Sequence, residues 1–170
     1  MATYPDTVIR FFASDMILNV HSDASYQTAS KMRSRAGGYF FLRSTPKNDK
    51  PIILNGNIHV LGTVIKLVAS SESEAELAAL FLNAQQARII RLIFHEMGHP
   101  QPPRPIHIEN STCVGIVNKT QKRSKSRAMN GTYFWLSEDR KTLAIIRPKH
   151  TQELDNAYSS NDAQFTSRMC

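Results

Sequence analysis

The spacing of apolar residues divides the chain into a β-rich first third and a remainder in which helices and strands alternate. From Met16 to Asp23, Leu18 and Val20 fall on one face of an extended segment, while Asn19, His21 and Asp23 fall on the other. This alternation predicts a short strand that Asp23 closes. Tyr39-Phe40-Phe41-Leu42 predicts a second strand, entered through a tight turn at Gly37-Gly38. Pro46 to Asn57 is polar and turn-rich around Ile52-Ile53-Leu54, consistent with a hairpin connection. The β-branched runs Ile58 to Val60 and Val64 to Ala69 then complete a three-stranded antiparallel meander. Helix formers dominate from Glu74 to about Gly98, as one helix or two in succession, until Pro100, Pro102, Pro103 and Pro105 end helical structure. Ile106-His107-Ile108 reads as a short strand. A helix is expected from Ser111, with Thr112, Val114, Gly115 and Ile116 turned to a sheet. Leu143 to Ile146 is a last strand, and the polar tail from Thr151 has at most a weak terminal helix. Strands first, then alternating elements, predict an α/β or α+β domain with a mixed central sheet. No internal repeat is visible.

Composition narrows the partners more than the fold. The 170 residues are 41% hydrophobic and 21% charged, which describes one ordinary globular domain. A net charge of +7 favours an anionic partner, most simply nucleic acid. Cys113 and Cys170 lie far apart, with no spacing that suggests zinc or a disulfide framework. No apolar run approaches the roughly 18 residues of a membrane span, and the best one, Val60 to Ala69, is interrupted by Lys66, so no membrane partner is expected. The N-terminal residues lack the charged start and apolar core of a signal peptide. An intracellular location, cytoplasmic or nuclear and not secreted, is the expectation.

Four acidic motifs carry most of the chemistry. They are His21-Ser22-Asp23-Ala24-Ser25-Tyr26, Ser73-Glu74-Ala75-Glu76-Leu77, Ile108-Glu109-Asn110-Ser111-Thr112, and Asp155 following Arg147-Pro148. Carboxylates gathered from two strand ends, a helix start and a tail are a usual way to hold paired hard cations such as Mg2+, which take oxygen ligands. Each has a plainer reading. Asp23 suits a turn. Glu76 completes a capping box with Ser73, although Ser71-Glu72-Ser73-Glu74 offers the same box in another register and leaves Glu76 to face a cleft. Glu109 precedes a helix start and suits its positive terminus. The sequence alone leaves these alternatives open.

The chain resembles the RNase H domain of copia-type LTR retrotransposon polyproteins. The resemblance rests on Ala13-Ser14-Asp15-Met16-Ile17-Leu18, the His21 to Tyr26 motif, Ser34-Arg35-Ala36-Gly37-Gly38-Tyr39-Phe40, Glu74-Ala75-Glu76-Leu77, Gly98-His99-Pro100-Gln101-Pro102 and Val114-Gly115-Ile116. It implies an α/β RNase H-like fold with a five-stranded mixed sheet flanked by helices. It further implies endonucleolytic hydrolysis of the RNA strand of RNA/DNA hybrids, and fusion to a reverse transcriptase domain. The catalytic and metal-binding carboxylates would be Asp23, Glu76, Glu109 and Asp155, holding two Mg2+ ions, with Mn2+ as an alternative. Asp23 would lie between both metals, Glu76 and Glu109 on one side and Asp155 on the other. Residues 1–15 would be a leader from the preceding polyprotein region, 16–160 the RNase H-like domain and 161–170 a disordered tail.

Three departures from the family pattern bear on activity. Glu109 stands where the family has Asp, and the added methylene moves the carboxylate by roughly 1.5 Å. The stretch from Trp135 to Arg147 is a few residues short, and Asn130-Gly131 falls inside a segment the family makes helical. These features keep a second expectation in play: a catalytically impaired retroelement remnant that folds and binds nucleic acid without cleavage. The basic run Lys119, Lys122, Arg123, Lys125 and Arg127 is the expected grip on the phosphate backbone, against the plainer reading of a solvated face. His150 could assist proton transfer or stand simply at the surface, and Tyr133-Phe134-Trp135 is expected to pack in the core. His95-Glu96-Met97-Gly98-His99 matches the H-E-x-x-H zinc signature, but Gly98 and Pro100 flank its second histidine and should take it off the helix.

Overall fold

The structure is a computed structural model that describes residues 8–44, 55–119, 130–138 and 143–146. Five strands form one sheet: β1 (Ile17–Ala29), β2 (Arg33–Arg43), β3 (Asn57–Val64), β4 (Arg104–Ile108) and β5 (Leu143–Ile146), in spatial order β3-β2-β1-β4-β5. The first three pair antiparallel, whereas β4 joins β1 and β5 joins β4 in parallel. The expected meander and mixed sheet are therefore present. Among the described residues three α-helices connect them: α1 (Glu72–Glu96), α2 (Ser111–Val117) and α3 (Asn130–Glu138).

The strands are longer than alternation alone predicts. Asp23 does not close β1; it pairs with Gly37 in mid-strand, and β1 continues to Ala29 through an irregularity after Ser25. Nor is the turn at Gly37-Gly38, which lie inside β2. It falls at Ser30–Met32, where Lys31 and Met32 adopt positive φ without glycine. Of the second β-branched run only Val64 belongs to β3, and residues 65–69 follow it outside any strand; Ile65 and Ala69 bury, while Leu67 and Val68 stay exposed.

One unbroken helix, α1, covers one face of β1 and β2. Its first turn settles the capping ambiguity: Ser71 Oγ accepts from the Glu74 N–H (3.3 Å), and Glu74 Oε2 accepts from the Ser70 N–H and hydroxyl. Glu74 is therefore the carboxylate that folds back, and Glu76 is left for another role. At the other end Gly98, at φ 84°, lets the His99 N–H reach Phe94 O and the Gly98 N–H reach His95 O. This is a Schellman ending. It places His99 outside the helix, so His95 and His99 share no helical face and the zinc signature has no helical basis. By length and composition α1 is apolar enough to cross a membrane, but it carries Leu77, Leu80 and Ala84 into the core with Leu18, Val20, Phe40 and Ile106.

Two amides do the joining work of backbone. Gln101, from the Gly98 to Pro102 motif, accepts from the Leu18 N–H and donates to Met16 O, continuing the edge of β1 where β4 has not begun. Asn55 donates to Leu42 O and Phe12 O and accepts from the Phe12 N–H, tying residues 10–12 to the end of β2. On α2 the buried residues are Cys113, Gly115, Ile116 and Val117; Thr112, expected to face the sheet, is exposed. On α3 Leu136 is fully buried and Trp135 meets Phe81 edge-on, but Phe134 is exposed, so only part of the aromatic run packs. Asn130 and Gly131 are both helical.

Candidate functional site

Parallel pairing of β1 with β4 builds the site. The register matches Val20 with Ile106, His21 with His107 and Ser22 with Ile108, so Asp23 and Glu109 are the next positions on adjacent strands. There β4 ends while β1 runs on, which leaves both carboxylates exposed at the strand end. Asn110 caps α2 by accepting from the Cys113 N–H (3.0 Å), so the helix terminus is served by Asn110 rather than Glu109. Glu76 approaches from the first turns of α1 and is buried, at 6% exposure.

Glu76 reports the convergence. Burial, then the negative charge of Asp23, raises its carboxyl from the ordinary 4.5 to about 8; Glu72 and Glu109 add to the rise, and a hydrogen bond from the Ala24 backbone opposes it. Its Oε2 is buried with no hydrogen-bond partner among the described residues. Cys113, in the first turn of α2, is pushed up to about 12 by burial and then by Glu76. Asp23, Glu76 and Glu109 are thus electrostatic neighbours drawn from β1, α1 and the end of β4. Asp155, the fourth expected carboxylate, lies outside the described residues, as do His150, Lys122, Arg123, Lys125 and Arg127. Lys119 is exposed just after α2, at φ 62°.

The donor set suits a hard divalent cation. All three donors are carboxyl oxygens, Glu76 Oε2 is buried without a hydrogen-bond partner among the described residues, and the repulsion that keeps Glu76 protonated is what a cation would relieve. Among the described residues no three carboxylate, imidazole or thiol groups by themselves gather closely enough to hold a metal ion.

The sequence reading missed what lies beside the carboxylates. His21 and His107, paired in register, stack at 4.8 Å between ring centroids, and His21 stacks on Phe41 at 5.4 Å. Burial, followed by the charge of Arg43, lowers His21 to about 4. Burial, then His21 and Arg43, lowers His107 to about 3. Both rings are neutral near pH 7. The one signal was a histidine inside an apolar strand, which is indistinguishable from ordinary core. Asn83 was also missed: fully buried on α1, it donates to Ser22 Oγ and to Gly37 O, both at 2.8 Å. It thereby holds the residue before Asp23 and the cross-strand partner of Asp23.

No family model matches this chain, and no curated protein matches it. Solved structures do. The chain is similar to LC11-RNase H1, isolated from compost by a metagenomic approach, at TM-score 0.53 and 9% identity over 81% of this chain and 87% of that one. The same enzyme in complex with an RNA/DNA hybrid gives TM-score 0.54 and 9% identity, over 80% and 88%. An N-terminal RNase H domain from Mycobacterium tuberculosis, solved as a fusion with maltose-binding protein, gives TM-score 0.50 and 8% identity over 81% and 91%. The fold is RNase H-like, and at these identities the likeness establishes the fold alone.

Proposed function

We propose that this chain is a metal-dependent endoribonuclease of the RNase H type, cutting the RNA strand of RNA/DNA hybrids, from a copia-type retrotransposon polyprotein. The observation that carries the reading is the convergence of Asp23 and Glu109, which follow the paired Ser22 and Ile108 on adjacent strands, with the buried Glu76 of α1, whose carboxyl burial and then Asp23 push upward, inside an RNase H-like fold. Carboxylates forced together at a strand end destabilise the molecule unless something cationic joins them. Asp23, Glu76, Glu109 and Asp155 would hold Mg2+ or Mn2+, which when bound supplies an activated water and charge stabilisation for a phosphoryl leaving oxygen. Asp23 is the residue placed to face both neighbours, since it adjoins Glu109 across the strands and acts on Glu76 from β1. RNA would be chosen by its 2′-hydroxyl and by the shape of the hybrid, with little sequence preference.

Glu109 favours a second reading, a remnant that binds but does not cleave. Its longer side chain displaces the carboxylate by roughly 1.5 Å, and small misplacements of catalytic groups can cost about two orders of magnitude in rate. Incubation with an end-labelled hybrid in Mg2+ and in Mn2+ decides between them. The expected result is cleavage that disappears in Asp23→Asn and increases in Glu109→Asp. Salt-sensitive binding without cleavage in either metal establishes the remnant instead.

A further inference from the structure

The sheet face opposite α1 carries a feature that the carboxylates do not explain. Cross-strand partners share a face, and the register sets Asp23 opposite Gly37 and Gly37 opposite Gly62. One row across β1, β2 and β3 therefore consists of a carboxylate followed by two residues without side chains. Neither glycine has a positive φ, so backbone conformation does not require them. Packing does not either: a Cβ at Gly62 would meet nothing within 4 Å, and at Gly37 it would reach Asp23 O at an ordinary 3.7 Å. Gly38, by contrast, faces α1, where an added Cβ would collide with Asn83 Oδ1. Glycine weakens a strand and commonly marks the close approach of another molecule.

We propose that this row is a trench that seats a sugar–phosphate strand of the hybrid, leading from the outer edge at β3 to Asp23. The inference rests on the ribonuclease reading and deepens it. The flanking rows form the walls, Tyr39 and Val60 on one side and Arg35 and Val64 on the other. With strands about 4.8 Å apart and residues rising about 3.3 Å, the trench is about 10 Å long between walls about 13 Å apart. That is room for a single backbone. Gly62, Val60, Arg35 and Asp23 are exposed, and Gly37, Tyr39 and Val64 are half-buried, so the row is reachable from solvent along its length.

Charge selects the occupant. Beyond Asp23 the β1–β2 hairpin has no carboxylate as far as Arg43, yet it presents Lys31, Arg33 and Arg35. Arg35 stands opposite Ser25, two residues along from the Asp23–Gly37 pair, where it meets the phosphate next to the one at Asp23. A polyanion is the partner this wall fits.

The test is binding of a labelled RNA/DNA hybrid in EDTA by fluorescence anisotropy, with cleavage in Mn2+ measured alongside. Gly62→Tyr puts a β-favouring side chain into open space, so it should fold with unchanged circular dichroism and lose at least about tenfold in affinity. Arg35→Ala should lower the slope of log affinity against log salt by about 1, and Arg35→Lys should restore it. Hybrid affinity unchanged in both Gly62→Tyr and Arg35→Ala overturns the trench, even if the wild type cleaves. A wild type that binds without cleaving, and loses binding in these variants, sinks the ribonuclease reading and supports the trench. A wild type with no affinity for hybrid overturns both.

Discussion

Glu76 is the residue on which the site can be measured without any turnover. Its folded carboxyl keeps a proton up to about 8, while the unfolded chain gives it up near 4.5. Between these values the native state binds more protons than the unfolded state, so stability from this group falls as pH rises and levels off above about 8. Thermal unfolding in EDTA should show this decline in the wild type and lose it in Glu76→Gln, which is then the more stable protein at pH 8 and little different at pH 4.5. Millimolar Mg2+ or Mn2+ at pH 8 should raise the wild-type midpoint by linkage and leave Glu76→Gln nearly unmoved. An equal rise in both proteins would remove Glu76 from the proposed metal site. The sequence placed Glu76 on a helix start but gave no means to choose between two capping registers. The deciding fact is that Ser70 and Ser71 together occupy Glu74. Asp23 was legible as a strand residue beside a cleft, though not as a mid-strand position, because the extension of β1 to Ala29 depends on pairing with β2 rather than on its own alternation.

At the scale of elements, the Asn83 carboxamide adds a buried polar contact between α1 and the sheet to the apolar packing of Leu77, Leu80 and Ala84. It bonds Ser22 Oγ and Gly37 O from within the core, where losing a partner costs about 1–3 kcal/mol. Asn83→Ala should destabilise by about that amount in denaturant melts, and Gly38→Ala by a similar about 1–3 kcal/mol through overpacking. The double variant should cost less than the sum, because removing the carboxamide also removes the clash. Strict additivity would show that Gly38 is small for some other reason. The helix and strand identities were largely legible, since alternation and helix formers are local signals. Register was not: the Gly37-Gly38 pair reads locally as a turn, and only the approach of α1 from one side reveals that Gly38 makes room for Asn83. The Gly98-His99-Pro100-Gln101-Pro102 motif was likewise visible as text. Its work, a helix stop and a surrogate strand edge for β1, needs the parallel neighbour β4 to be in place.

For the whole molecule, the proposed ribonuclease reading would separate gripping from cutting. The carboxylates sit where β4 ends, and the cations Lys31, Arg33 and Arg35 extend beyond them on the hairpin, within a chain of net charge +7. In that reading an electrostatic grip spread along the hairpin would not need the metal, whereas charge neutralisation at Asp23, Glu76 and Glu109 would. Chelation should therefore abolish cleavage while leaving hybrid binding in place. At low salt, removal of the carboxylate charge in Asp23→Asn should tighten that binding, since it deletes an anion from the path of a polyanion. Affinity should fall steeply with salt, with a log–log slope of about −3 if the three hairpin cations each neutralise one phosphate. Two hybrids of unrelated sequence should give the same slope, because backbone contacts carry no sequence information. Binding isotherms at four or five salt concentrations, with and without EDTA, measure all of this on one protein preparation. A slope near zero, or binding that vanishes with the metal, would mean that the grip and the cut are a single site, and the hairpin would have no part in holding the substrate.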